Sequence, residues 1–143
     1  MSEIDWELIR EKLKQVRWAL KTIRQRFRRV PDVEFFRTRR GRERLDGICM
    51  LLEAVGESFS KIDKLSNRTF LVRYHGIDWK KIIDLRHLIA HNYFDIDAEV
   101  VFNNCRDHLL PLLQTVRCMI KDLKLDNTFE GNTPSPSPSP FGQ

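Results

Sequence analysis

Residues 5–29 read DWELIREKLKQVRWALKTIRQRFRR, and this stretch decides the class of fold. Its apolar residues recur every three or four positions, which places them on one face of an α-helix. They are Ile9, Leu13, Val16, Leu20, Ile23 and Phe27. Pro31 follows and is expected to stop the helix, because proline has no backbone N–H to donate. The stretch therefore predicts one long amphipathic helix.

A second stretch repeats this pattern after a short connection. Its apolar residues are Leu45, Ile48, Leu52, Val55, Phe59 and Ile62. Two such stripes predict an antiparallel helical pair in which each helix buries its stripe against the other. Gly47 and Gly56 fall inside the second helix, where glycine is unfavourable by about 1 kcal/mol relative to alanine. Close approach of two helices is the usual compensation.

The remaining sequence also favours helices. Residues 65–77 lose the helical period and are expected to form a loop, after which Asp78 can cap a short third helix. A last helix carries apolar residues of 101–123 on one face, with a kink expected at Pro111. No strand pattern persists. We therefore predict an all-α fold, an antiparallel bundle of four or five helices.

Length and composition limit the class of protein. The 143 residues, 17.0 kDa, allow one domain with a sizeable core. A content of 41% hydrophobic and 31% charged residues is typical of a globular protein. The longest apolar run has about six residues, against the ~20 that a membrane helix needs, so no membrane association is expected. Three scattered cysteines, Cys49, Cys105 and Cys118, fit reduced thiols, and with no secretory signal they indicate a cytoplasmic protein.

The character of the chain changes near residue 127. We therefore divide it into a helical domain, residues 1–126, and a tail, residues 127–143. The tail alternates proline with polar residues over 133–140 and holds four of the six prolines. Proline cannot donate to a helix or sheet, and the segment has little apolar mass to bury. The tail is expected to be extended and disordered.

Positive charge is concentrated in residues 24–44. That segment holds nine arginines and three acidic residues, a net +6 in a chain of net +5. The guanidinium fork favours bidentate contact with phosphate, so the segment is a candidate polyanion-binding surface, most commonly for nucleic acid. A solvated helix face or a contact with a partner protein is the alternative. The candidate nucleic-acid contacts are Arg37, Arg39, Arg40, Arg42 and Arg44.

One arrangement of residues carries chemistry: Arg86, four residues, His91, one residue, Tyr93. Histidine titrates near neutral pH and suits proton transfer, and arginine offers several donors to a phosphate. Residues five apart on a regular helix are ~140° apart. Arg86 and His91 can therefore converge if the helix ends before His91, or if two copies of the chain meet. The structural alternative is a buried His91 that caps the helix while Arg86 pairs with Asp84 or Asp95.

Residues 77–97, IDWKKIIDLRHLIAHNYFDID, resemble the signature of HepT toxins, members of the HEPN superfamily. Residues 55–58 and 110–113 also match positions of that family, and the resemblance spans residues 5–125. Its R-x-x-x-x-H-x-Y core is specific. The resemblance implies an all-helical homodimer that acts as a metal-independent endoribonuclease, with Arg86 and His91 as catalytic residues. It implies no metal and no other cofactor for catalysis.

The same resemblance implies a partner. This is an MntA-type nucleotidyltransferase antitoxin, which uses ATP and Mg²⁺ to transfer AMP to the motif tyrosine, here Tyr93. Two residues neighbour the motif, His87 and Asn92. His87 stands where Asn or Asp is common, and Asp84 where a small residue is usual. The arginine-rich segment and the tail lie outside the resemblance.

Metal-free cleavage of RNA needs a base for the 2′-hydroxyl proton and a cation for the charge on phosphorus. His91 suits the first task and Arg86 the second, and the products would carry a 2′,3′-cyclic phosphate and a 5′-hydroxyl. A dimer with two Arg86/His91 pairs across one cleft would supply both base and acid, with the arginine-rich segment steering RNA toward it. The alternatives are a non-catalytic helical module that binds the nucleotidyltransferase or RNA, and a basic DNA-binding protein without a helix-turn-helix pattern.

Overall fold

The periodic stripes fold into helices as their spacing predicts. The computed structural model describes residues 3–91 and 93–131, including all side chains but those of residues 88, 90, 91 and 125–131. The α-helices in these residues are α1 (Trp6–Phe27), α2 (Arg39–Leu65), α3 (Trp79–His91), α4 (Ala98–Asp107) and α5 (Leu109–Gly131). Short 3₁₀ turns at Val33–Arg37, Leu71–Arg73 and Tyr93–Asp95 lie between them. The described residues contain no strand, and the prediction of an all-α bundle is confirmed.

Helices α1 and α2 form the predicted antiparallel pair. At one end, Nη1 of Arg44 on α2 donates to the carbonyl of Arg26 on α1 at 3.1 Å. At the other end, the Trp6 ring on α1 meets the ring of Phe70, just beyond α2, with centroids 5.8 Å apart. Between these ends both stripes are buried, except for Phe27, which is partly buried. This burial of apolar surface is the main force that holds the pair together.

Helices α2 and α3 approach each other closely at Gly56. A Cβ there would lie 2.9 Å from both the backbone nitrogen of Arg86 and the carbonyl oxygen of Ile82. Backbone atoms cannot turn aside as the end of a side chain can, so the contact requires glycine. Gly47 differs, because the atom nearest to an added Cβ is Nη1 of the flexible Arg26 side chain, at 3.2 Å. The predicted compensation by close helix approach therefore applies at Gly56.

The predicted kink at Pro111 is wrong, because the chain forms two helices there. α4 ends at Asp107 and α5 begins at Leu109, with His108 between them. The ring of Pro111 would clash with the Asp107 carbonyl, four residues earlier, in a continuous helix. Restarting the helix at Leu109 moves the proline into a first turn, where its missing N–H needs no partner.

The last helix extends into the segment that we predicted to be an extended, disordered tail. Helix α5 continues to Gly131 and so includes residues 127–131, the first residues assigned to the tail. The Ser-Pro repeat at 133–140 lies outside the described residues, and its disorder stays a prediction. Within the described residues, no helix combines the length and apolarity that crossing a membrane requires.

The three cysteines carry no disulfide. Cys49 and Cys105 are buried, and Cys118 is exposed. Burial raises the pKa of the Cys49 thiol to about 11 and that of Cys105 to about 12. Both thiols are therefore protonated at neutral pH, and a protonated thiol is a poor nucleophile and a poor metal ligand.

Candidate active site around Arg86 and Tyr93

The Arg86 side chain is held by α2. Its Nη1 donates a hydrogen bond of 2.8 Å to Oγ of Ser60, and it lies 3.6 Å from Oε2 of Glu57. The glycine contact at Gly56 sets the two helices close enough for both interactions. The structural alternative predicted Asp84 or Asp95 as the partner of Arg86, and that prediction is wrong. Because α2 approaches α3 closely, Glu57 and Ser60 are the residues within reach of the guanidinium.

Arg86 keeps capacity for a further anion. Its side chain is 24% exposed, and its buried Nε has no hydrogen-bond partner among the described residues. Glu57 is 49% exposed, and its 3.6 Å separation from Nη1 exceeds hydrogen-bond length. Such a half-solvated ion pair contributes little to the free energy of folding. A phosphate that matches the guanidinium fork can therefore replace Glu57 as the main anionic partner of Arg86.

His91 is the last residue of α3. The helix does not end before His91, because no proline or glycine interrupts residues 77–91. The first of the two conditions for convergence with Arg86 is therefore not met. Two positions five residues apart on a regular helix are separated by ~140° around its axis. The His91 side chain and all of Asn92 lie outside the described residues, so the roles assigned to them stay predictions, and His87 is exposed beside Arg86.

Tyr93 opens the 3₁₀ turn that follows α3, and Arg42 of α2 covers its ring. The Cζ atom of Arg42 lies 5.3 Å from the ring centroid, within cation–π range. Nε of Arg42 donates to Oδ1 of Asp46 at 2.9 Å. The pKa of the Arg42 guanidinium is raised, most strongly by a hydrogen bond with the Tyr93 side chain and next by one with the Asp46 side chain. The tyrosine of the motif is thus in direct contact with the arginine-rich segment.

Phe94 is almost fully exposed. Its relative exposure is 93%, and its ring meets that of Tyr93 edge to face with centroids 5.6 Å apart. Tyr93 itself is 41% exposed. Large aromatic side chains that stand in solvent are characteristic of surfaces that bind a partner or a nucleic-acid base. The end of α3 therefore carries two accessible rings next to the motif.

The five candidate RNA-contacting arginines have different surroundings. Arg42 contacts Tyr93, and Arg44 is half-buried with its Nη1 on the C-terminal end of α1. Arg37 forms an ion pair with Glu34, and Arg39 and Arg40 are exposed in the first turn of α2. Among these five, Arg42 is the residue that the structure places against the motif. Arg44 instead joins α2 to α1 through the carbonyl of Arg26.

Sequence reasoning missed Ser60, Glu57 and Phe94 as parts of the site. Ser60 and Glu57 follow Gly56 by four residues and one, so the close approach predicted for that glycine was the available signal. Nothing in the sequence distinguished Phe94 from a core aromatic. Among the described side chains, no three His, Cys, Asp or Glu residues cluster in a way that could hold a metal ion.

One comparison with known proteins places the chain in a family. The model of the HepT-like family, described as "Ribonuclease HepT-like", matches residues 16–119, which include α2, α3 and the whole R-x-x-x-x-H-x-Y segment. The chain therefore belongs to the HepT-like ribonuclease family. No curated protein and no solved structure matches it.

Proposed function

We propose that this protein is the toxin of a toxin–antitoxin pair, a cytoplasmic endoribonuclease that cleaves RNA without a metal ion. The observation that carries the proposal is Arg86, held on α2 by Ser60, 24% exposed and only loosely paired with Glu57, within the motif segment of a HepT-like chain. The motif segment thus has an arginine of its own, Arg86, and a second arginine, Arg42, against its tyrosine, which suits a phosphodiester substrate better than a neutral one.

The proposed reaction is an internal transesterification. His91 takes the proton of the ribose 2′-hydroxyl, and the 2′-oxygen forms a bond to phosphorus while the bond to the 5′-oxygen breaks. Arg86 binds the phosphate oxygens, on which negative charge increases in the transition state. The departing 5′-oxygen takes a proton from a second acid. One product then carries a 2′,3′-cyclic phosphate and the other a 5′-hydroxyl.

A homodimer would supply that second acid. Arg86 and His91 occupy positions of one regular helix that are ~140° apart around its axis, so a single chain is poorly arranged to place both on one phosphate. Two chains that meet at the ends of α3 would bring two Arg86/His91 pairs to one cleft, so that one His91 acts as the base and the other as the acid. The exposed Phe94 next to this helix end supports the choice of interface, because dimerisation would remove its ring from water.

We expect His91→Ala and Arg86→Ala each to lower RNA cleavage by about a hundredfold or more, because general acid–base and charge-stabilising groups contribute on that scale. Cleavage of a labelled RNA, with analysis of the fragment ends, measures the effect. Matched controls are His75→Ala and Arg68→Ala, which alter an exposed histidine and an exposed arginine of the 66–78 loop. Cleavage by both motif variants at the rate of the controls would leave the non-catalytic binding module as the better description.

We further propose that an MntA-type nucleotidyltransferase antitoxin neutralises the toxin by transferring AMP from ATP, with Mg²⁺, to Tyr93. The exposure of Tyr93 supports the assignment, since a transferase must reach the phenolic oxygen. An attached adenylate adds bulk and a negative phosphodiester to the motif. Both would compete with the phosphate of the RNA.

Tyr93→Phe should therefore retain ribonuclease activity and resist neutralisation by the transferase. The residual cleavage rate after incubation with transferase, ATP and Mg²⁺ measures this, and intact-protein mass reports each added AMP. Tyr74→Phe is the matched control, because it leaves the motif tyrosine in place. Addition of AMP to the Tyr93→Phe chain would place the modification elsewhere.

A further inference from the structure

A small cleft lies next to Tyr93 on the outside of the bundle. It has a volume of ≈ 360 Å³ and is bounded by the 3₁₀ turn Val33–Arg37, the start of α2 and the residues that lead into α4. Phe36 and Leu45 lie beneath it and are buried, with 1% and 2% of their surface exposed, and Ile96 is half-buried at its edge. This size lies at the lower end of the range for small-molecule sites, about 300–1,000 Å³.

The polar groups of the cleft are two arginines and one aspartate. Arg37 and Arg42 line it together with Asp97, whose carboxylate also caps α4 by accepting from the amides of Glu99 (2.9 Å) and Val100 (3.4 Å). Each arginine also has a carboxylate partner outside the lining, Glu34 for Arg37 and Asp46 for Arg42. A guanidinium has five N–H donors, so each can donate to a phosphate in addition to its carboxylate, which suits the phosphodiester of a nucleotide.

Arg42 both lines this cleft and contacts the ring of Tyr93. Its guanidinium lines the cleft and also covers the tyrosine ring, 5.3 Å from the centroid. Asp46 accepts from Nε at 2.9 Å, and a further hydrogen bond joins Arg42 to the side chain of Tyr93, so the guanidinium is oriented toward the phenol. A phosphorus atom bonded to the phenolic oxygen of Tyr93 would therefore be placed within reach of Arg42.

We propose that this cleft receives the adenylate attached to Tyr93, with Arg42 binding its phosphodiester and Ile96 contacting the adenine. The inference rests on the proposed function, because it requires AMP on Tyr93. In the transfer, the phenolic oxygen forms a bond to the α-phosphorus of ATP, and the bond from that phosphorus to the bridging oxygen of the β-phosphate breaks. Pyrophosphate leaves, and the phenolic proton passes to solvent.

The occupied cleft would explain how a modification beside the motif becomes inhibitory. The phosphodiester of the adenylate forms an ion pair with Arg42 and neutralises its positive charge. Arg42 is then no longer available to bind RNA. Asp97 repels the phosphate, which therefore lies on the Arg42 side, and can accept a hydrogen bond from a ribose hydroxyl or from the adenine amino group. The modified tyrosine is then held in one position.

The test compares full-length wild type, Arg42→Gln and the matched control Arg40→Gln, each before and after treatment with transferase, ATP and Mg²⁺. Intact mass reports whether Tyr93 is modified, and amide hydrogen exchange reports protection of residues 33–45 and 96–100. We expect adenylation to slow exchange in these segments by about tenfold in wild type and Arg40→Gln, and to leave it unchanged in Arg42→Gln. A second variant, Ala98→Leu, fills the cleft without removing Arg42 and should also abolish the protection.

A binding measurement without the transferase separates this inference from the proposed function. Free AMP, titrated into unmodified protein and followed by amide chemical shifts, should perturb residues of the cleft and bind about tenfold more weakly to Arg42→Gln. If the transferase leaves Tyr93 unmodified but AMP binds in the cleft, the proposed neutralisation fails and the nucleotide site stands. If Tyr93 is modified without protection of the cleft, the inference is overturned. Protection by an RNA oligonucleotide but not by adenylate or AMP would overturn it in favour of an RNA subsite.

Discussion

Two arginines of the motif region have different partners, and the partners indicate different tasks. Arg86 is anchored by the neutral Ser60 hydroxyl and lies near a half-exposed carboxylate, so an incoming phosphate can displace its anionic neighbour. Arg42 contacts the ring of Tyr93 and is oriented by Asp46. The first arrangement suits binding of a reacting phosphate, and the second suits recognition of whatever is attached to the tyrosine.

At this scale, Ser60→Ala tests whether Ser60 acts as a positioning residue for Arg86. Loss of the 2.8 Å hydrogen bond leaves Nη1 without its anchor, and we expect kcat for RNA cleavage to fall about three- to tenfold with little change in KM. Steady-state kinetics measures the two parameters. Ser58→Ala, two residues away on the same helix, should keep both values. An equal effect of both variants would indicate a general weakening of α2 rather than positioning.

At the scale of elements, the first turn of α2 is unusual in its charge. It begins with Arg39 and Arg40 and contains no acidic residue, although the N-terminal end of a helix carries partial positive charge. Cations are unfavourable in that position, and a bound anion would relieve the repulsion. The Thr38 side chain accepts from the Gly41 amide at 3.0 Å and so caps the helix, which keeps it intact despite these charges.

The contact of α2 with α3 is also an element-scale feature, and Gly56→Ala tests it. The added Cβ would lie 2.9 Å from two backbone atoms of α3, so the helices must separate. We expect the free energy of unfolding to fall by about 1–3 kcal/mol from this overpacking, less the gain in helix propensity. Urea unfolding measures it. Gly76→Ala, where an added Cβ meets no atom within 4 Å, is the control and should be nearly neutral.

At the scale of the whole molecule, charge and chemistry meet on one side of the bundle. The chain has a net charge of +5, and residues 24–44 alone carry +6. The fold places Arg42 of this segment against the Tyr93 ring, whereas Arg86 contacts α2 outside the segment, at Ser60. The net positive charge of the segment favours encounter with a polyanion.

RNA binding should accordingly weaken steeply with salt. Each arginine that contacts a phosphate adds about 0.7 to the slope of log K against log salt concentration for single-stranded RNA. The double variant Arg39→Gln/Arg40→Gln should therefore reduce the slope by about 1.4, measured by fluorescence anisotropy with a labelled RNA on a His91→Ala background. Lys61→Gln, which removes an exposed charge on the same helix far from this segment, should leave it unchanged. A slope that the double variant does not alter would remove these two arginines from the RNA contact.

The local sequence determined the helices, because helix formation depends on apolar period, caps and breakers that act over a few residues. The stripes at Ile9–Ile23 and Leu45–Ile62 are buried as their spacing predicts. The division between α4 and α5 was not predicted. Pro111 can either kink a helix or lie in a first turn, and the choice depends on how the flanking segments pack.

The motif was also visible in the sequence, since Arg86, His91 and Tyr93 lie within eight residues, but their surroundings were not. Only the tertiary structure places Ser60 and Glu57 on Arg86, and Arg42 on Tyr93, because these contacts join residues 26 to 51 positions apart. Spacing along one helix reports which residues share a face, whereas partners across helices depend on how closely the helices approach. Gly56 permits that approach, and the packing of α2 against α3 decides it.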